Sequence, residues 1–167
     1  MKKGIIILAV LILAWRTYPL PAETDGNVGA VRLSAKRVEV YKGVSLGLLD
    51  LFALEVKFLN RSMDPYEVNF WGVTKAGATC RPLEAGNVAP RFEDSYSGYT
   101  RNPHTAVTGA ELEKDLLKKE TIIAPHGSLQ GLIFFPVRDY ESIWFTLQNR
   151  NLRTKTPAII LLSEEAR

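Results

Sequence analysis

Few side chains in this sequence can do chemistry, and their spacing does not gather them. The chain has two histidines, His104 and His126, and one cysteine, Cys80. A transition-metal site needs three or four His, Cys or carboxylate ligands. Neither histidine has such neighbours at motif spacing, so no metal and no cofactor is expected. A Gly-x-Ser-x-Gly elbow is absent, and Cys80 has no base near it in sequence. Cys80 reads as a small buried apolar residue, with an intermolecular bridge as the alternative. Glu93 and Asp94 are adjacent carboxylates. Neighbours in sequence are neither a separated acid and base nor the six oxygen ligands of a calcium loop, so they read as solvated loop charges. No catalytic residue is assigned, and the chain is not expected to be an enzyme.

His126 sits in TIIAPHGSLQGLIFFPV, residues 121–137. Pro125 presets φ for the second position of a turn, and Gly127 is expected to take the left-handed conformation there. His126 then only fills the turn. Gly131, later in the same stretch, reads as a close backbone approach or a bulge. Aromatic residues are the better candidates for binding. Trp71 falls on the same strand parity as Glu67 and Asn69, and Trp144 on that of Ser142, Thr146 and Gln148. Phe92, Tyr96 and Tyr99 lie in a long aperiodic segment. These five side chains are the expected partner-binding surface if they are exposed. The competing reading, and the preferred one, is that a short helix near residues 109–119 covers the two tryptophans.

What must position these residues is a set of short strands behind an export signal. Lys2 and Lys3 precede an uncharged apolar run of 12 residues, from Gly4 to Trp15, and a Tyr-Pro-Leu-Pro-Ala end. This is the layout of a secretory signal over residues 1–22, too short to cross a bilayer as a helix. An uncleaved inner-membrane anchor is the alternative, and the only route to a membrane. Lys2, Lys3 and Arg16 are three of the 21 Lys and Arg; without them the chain has 18 against 18 Asp and Glu. No cationic surplus remains to displace counterions from phosphates, so nucleic acid is not an expected partner. A single cysteine provides no internal disulfide, so an exported domain must rely on its core. Asn60-Arg61-Ser62 matches the N-glycosylation pattern, which short motifs do by chance.

Residues 23–29 read as a polar linker, and residues 30–163 as one domain. Val31, Leu33 and Ala35 alternate, and so do Val38 and Val40, with a change of parity near Lys36 and Arg37 that a bulge or a change of sheet would explain. LEVKF, from Leu54, is a half-buried strand. YEVNFWGVTK follows, with Tyr66, Val68 and Phe70 inward, and closes through Ala76-Gly77 onto Thr79-Cys80. Residues 85–108 read as a long loop. Thr108 and Glu111 have capping-box spacing, and Leu112, Leu116 and Leu117 give one short amphipathic helix, with an Asp115–Lys119 pair. Strands TIIA, SLQGLIFFPV, SIWFTLQN and PAIILLS complete seven or eight strands. The fold class is mainly β, an antiparallel sandwich with one short helix in an insertion.

Residues 54–62, a strand ending in Asn-x-Ser, and residues 125–135, a Pro-x-Gly turn running into Gly-Leu-Ile-Phe-Phe, carry a resemblance. The pattern over roughly residues 30–163 resembles the immunoglobulin-like domains of bacterial exported proteins and lipoproteins of unknown function. The resemblance implies an immunoglobulin-like sandwich and brings no catalytic residues. The chain departs from that pattern in the 85–119 insertion and in His126 at the turn. The expectation is an exported, periplasmic or extracellular non-enzymatic domain that binds a protein or another cell-envelope component, or serves an envelope assembly. An envelope hydrolase with its site in residues 85–119 is the alternative.

Overall fold

The computed structural model describes residues 23–96 and 107–162. Residues 1–22, where an export signal is expected, lie outside them. The chain is mainly β, built from antiparallel sheets with two helices. The strands are β1 (Glu23–Val28), β2 (Val31–Val38), β3 (Val40–Tyr41), β4 (Val44–Ser45), β5 (Leu51–Asn60), β6 (Tyr66–Thr74), β7 (Thr79–Cys80), β8 (Thr121–Ile123), β9 (Ser128–Pro136), β10 (Tyr140–Asn149) and β11 (Lys155–Leu161). The helices are α1 (Ala85–Tyr96) and α2 (Gly109–Asp115), with a 3-10 turn at Leu46–Leu49. One sheet has the order β1-β2-β5-β9. The other runs β11-β10-β6-β7, with β8 also paired to β6, and β3 and β4 form a separate hairpin.

Alternation fixes the shared core. Val31, Leu33 and Ala35 of β2, Val56 and Phe58 of β5, and Ile133 and Phe135 of β9 point inward from the first sheet. Val68 and Phe70 of β6, and Ile143, Phe145 and Leu147 of β10, meet them from the second. Phe58 and Phe145 touch edge to face, with ring centroids 5.8 Å apart, a favoured geometry for buried aromatic pairs.

Residues 23–29 are not a linker. Glu23 to Val28 pair with β2, Val28 opposite Val31, across a two-residue turn in which Gly29 takes φ +62°. An edge strand needs only backbone partners, so its polar sequence gives no alternation to read. The apparent parity change near Lys36 and Arg37 is not a bulge. β2 stays in register with β5 as far as Val38, opposite Ala53. Val38 is apolar because the outer face of the first sheet is covered at this end.

That cover is a second buried cluster, and it is where the helices go. Residues 85–96 form α1 rather than a loop. Ala85, Val88, Ala89 and Phe92 fall at i, i+3, i+4 and i+7 and are all buried, the spacing of one helix face. They pack with Leu112 of α2, Tyr41, Leu51, Ala53 and Phe134. Arg91 donates to the Leu49 and Asp50 carbonyls at 3.0 and 2.9 Å, tying α1 to the end of the 3-10 turn. The capping box forms as expected: the Glu111 N–H donates to Thr108 Oγ1 at 3.3 Å, and the Thr108 N–H to Glu111 Oε2 at 3.1 Å.

α2 ends at Asp115, short of Lys119, so the Asp115–Lys119 pair is not a helical one. Asp115 instead accepts from the Tyr41 hydroxyl at 2.6 Å. Burial first, and that carboxylate second, push the Tyr41 hydroxyl well above its ordinary range, so it remains a donor. Leu116 and Leu117 then run beside β9. The Leu117 N–H donates to the Leu132 carbonyl at 2.8 Å, and the Leu83 N–H to the Phe134 carbonyl at 2.7 Å. Both bonds lie on the edge of β9 that β5 leaves open, where an unpaired strand would invite another chain. The insertion therefore leaves the second sheet at β7, crosses the β9 edge, covers the outer face of the first sheet and returns along the same edge to β8.

Candidate functional site

Trp71 and Trp144 are directly opposite each other on β6 and β10. Their rings stack at 6.1 Å between centroids with 24° between planes. Inward Val68, Phe70, Ile143 and Phe145 flank them in sequence, so alternation turns both indoles outward. The helical layer does not cover them. α1 and α2 pack on the outer face of the first sheet, whereas the tryptophans stand on the outer face of the second, across the core. An apolar strip was already present for the helices in Leu51, Ala53 and Phe134.

Strand register extends the tryptophan pair into a patterned face. Trp144 is opposite Ile159 of β11, so Trp71, Trp144 and Ile159 form one row across three strands. Val73, Ser142 and Leu161 form the next row. Ile159 is 46 % and Leu161 65 % exposed, which makes this an open apolar surface rather than isolated exposed residues. In the other direction lie Asn69, Thr146 and Pro157, then Glu67, Gln148 and Lys155. Ile122 of β8 extends this last row beyond Glu67 and is 53 % exposed. The indole N–H of Trp144 donates to Ser142 Oγ at 2.9 Å, which also satisfies that buried hydroxyl. Glu67 is paired with Arg150. The face thus has an apolar half and a polar half, with its polar groups partly satisfied internally.

The other expected surface residues part company. Phe92 is completely buried and touches Tyr41 edge to face at 5.7 Å, so it belongs to the second cluster and to no partner surface. Tyr99 and His104 lie outside the described residues, as do the side chains of Tyr96 and Asp94. Glu93 is exposed on α1.

His126 is in the turn, but the backbone differs from the expectation. His126 itself takes the left-handed conformation, φ +50°, while the Gly127 N–H donates to the Ala124 carbonyl at 3.0 Å. Pro125 and His126 are thus the second and third residues of the turn, and a positive φ at the third is the type II pattern. Gly127 is small for another reason: a Cβ there would sit 3.0 Å from the Ala124 carbonyl oxygen.

Asn60 of the Asn-x-Ser triplet is buried, and its side chain is fully used. Its amide donates to the Asp64 and Ala124 carbonyls at 2.7 and 2.9 Å and accepts from the Ser62 N–H and hydroxyl at 2.9 Å each. Asp64 in turn accepts from Asn149 at 2.8 Å and Asn151 at 2.6 Å. Those two bonds, Asn149 first, hold its carboxyl below the ordinary carboxylate range. This polar knot joins the ends of β5 and β10.

At the far end lies an open cleft of about 480 Å³, lined by Arg37, Phe52, Lys75, Arg138, Tyr140 and Leu162 among others. Arg37 lies over the Phe52 ring at 5.8 Å, and Arg37 and Lys75 both have further interactions of their own. Cys80 is half-buried beside Tyr140 rather than fully inside. Among the described residues, no three His, Cys, Asp or Glu side chains gather as a metal-ligating group. None of the described helices is long and apolar enough to cross a membrane. Comparison with protein-family models, with curated proteins and with solved structures gives no match.

Proposed function

We propose that the chain is an exported, non-enzymatic domain of the immunoglobulin-like sandwich class, acting as a binding or accessory module of a cell-envelope assembly. The proposed contact surface is the outer face of the β11-β10-β6 sheet. The observation that carries this reading is the Trp71–Trp144 stack on a solvent-facing sheet surface, continued by exposed Ile159 and Leu161. Tryptophan is enriched among residues that dominate binding energy, and a central apolar area beside a polar margin is how specific interfaces are built. The sandwich assignment is supported by two antiparallel sheets sharing one core, and by the Asn-x-Ser and Pro-x-Gly turns that frame β5 and β9.

Affinity capture from envelope extracts tests the reading. The full chain should retain a reproducible set of envelope components. Trp71→Ala with Trp144→Ala should lose them while remaining folded by circular dichroism, and Glu113→Lys on exposed α2 should not. Retention of the same components by the double variant would remove this face from the function.

A further inference from the structure

The imidazole of His126 and the thioether of Met63 meet beside the polar knot. His126 Nε2 lies 2.8 Å from Met63 Sδ, although the two residues are 63 apart in sequence. Met63 is 75 % exposed, and His126 is exposed as well. We propose that this pair binds a soft monovalent cation, copper(I), with His126 Nε2 and Met63 Sδ as the protein ligands. The proposal is independent of the tryptophan face.

The donor types select the ion. A thioether is a soft, neutral donor that favours copper(I), and imidazole suits copper too. Calcium and magnesium take oxygen ligands, which these two side chains do not offer. Zinc sites combine three or four thiolate, imidazole or carboxylate ligands. No such group forms among the described residues. A monovalent ion with a filled d shell imposes no geometry of its own and is satisfied by two or three donors. The His–Met pair meets that need, with water in any further position.

The backbone holds both donors in place. The Asn60 amide donates to the carbonyl of Asp64, next to Met63, and to that of Ala124, two residues before His126, at 2.7 and 2.9 Å. The His126 N–H donates to the Ser62 carbonyl at 3.1 Å, and the Asn60 N–H to the Gly127 carbonyl at 2.9 Å. The two turns therefore form one unit, as a preorganised site requires. Only the side chains need to part to admit the ion, and both are free to do so in solvent. Two features of the pair run against folding alone. His126 holds φ +50° at a turn position that glycine or asparagine ordinarily fills. Met63 keeps an apolar side chain in water. Ligation accounts for both, and backbone outliers of this kind cluster at ligand clamps.

Titration of the full chain with copper(I) under ascorbate, against bicinchoninate as competing chelator, tests the site. A Cys80→Ala background removes the one thiol that would bind the same ion. This chain should take up a single copper(I). Met63→Leu and His126→Gly should each weaken uptake by at least about tenfold, because even outer partners of metal ligands are worth that much. Both substitutions respect the fold, since leucine matches methionine in volume and glycine accepts the positive φ. Silver(I), a redox-inert probe of the same class, should shift the Met63 methyl resonance, which Met63→Leu assigns among the two methionines of the chain. The shift should vanish in His126→Gly at the same silver concentration. No uptake by the Cys80→Ala chain, equal uptake by either variant, or a Met63 methyl resonance that silver leaves unmoved would overturn the site.

Discussion

Gly131 lies directly beneath the backbone of Leu117. A Cβ on Gly131 would stand 2.9 Å from the Leu117 nitrogen and 3.1 Å from the Asp115 carbonyl oxygen. These are backbone atoms held by the bond from Leu117 to Leu132, so they cannot turn aside as a side chain would. The absence of a side chain at residue 131 allows the insertion to close the β9 edge. Gly131→Ala should cost about 1–3 kcal/mol, the range of overpacked sites. Urea denaturation checks this, and a midpoint equal to that of the wild type would mean the edge contact is loose.

The turn at His126 gives the opposite sign. His126 holds a positive φ that a side chain disfavours, whereas glycine reaches it without steric cost. His126→Gly should therefore leave stability unchanged or raise it by up to about 1 kcal/mol, and His126→Val should lower it by about 1–2 kcal/mol. Thermal melts of the two variants decide. A His126→Gly variant clearly less stable than the wild type would show that the imidazole, which lies against Met63, matters more than the backbone.

Asn60 and Asp64 make the polar knot measurable. Asn60→Ala leaves the Ser62 N–H without its partner, while the Asp64 and Ala124 carbonyls keep Ser62 Oγ and the Gly127 N–H as donors, and it should cost about 1–3 kcal/mol. Asp64 has a folded-state pKa below its unfolded one. Its contribution is complete above the unfolded carboxylate pKa of about 3.9, and is lost as pH falls through the lower folded value. Asp64→Asn should flatten that acid limb of the stability curve. An acid limb identical to that of the wild type would place the pH dependence elsewhere.

Export is tested at the N-terminus. Lys2, Lys3, the short apolar run and Pro21-Ala22 motivate cleavage after Ala22. N-terminal sequencing of the exported chain should begin at or near Glu23, and a membrane-held product that keeps Met1 would establish the anchor instead.

The strand faces were legible in sequence because period-two alternation survives wherever one face is wet. Leu54, Val56 and Phe58, the inward set of β6, and the outward parity of Trp71 and Trp144 all follow from it. The signal fails where both faces are buried. Leu51 to Leu54 and Ile133 to Phe135 look like undivided apolar runs because the helical layer covers the outer face there. α1 carries its i, i+3, i+4, i+7 face in Ala85, Val88, Ala89 and Phe92. Gly86, Asn87 and Pro90 interleave that face with the residues that ordinarily mark loops. Pro90 lies inside the helix, where it cannot donate a backbone bond. Which sheet the helices cover could not be read from their own residues. The evidence was in the partner strands, in Ala53 and Phe134 at outward positions.

The most direct measurement of the central claim is hydroxyl-radical footprinting of Trp71 and Trp144 in two settings, the intact envelope and the purified chain at nanomolar concentration. If the outer face of the second sheet is the bound surface, both indoles should be strongly protected in the envelope and oxidised several-fold faster in the dilute chain. Exposed Leu48, remote from that face, should react alike in both. Equal oxidation of the two tryptophans in both settings would contradict the account.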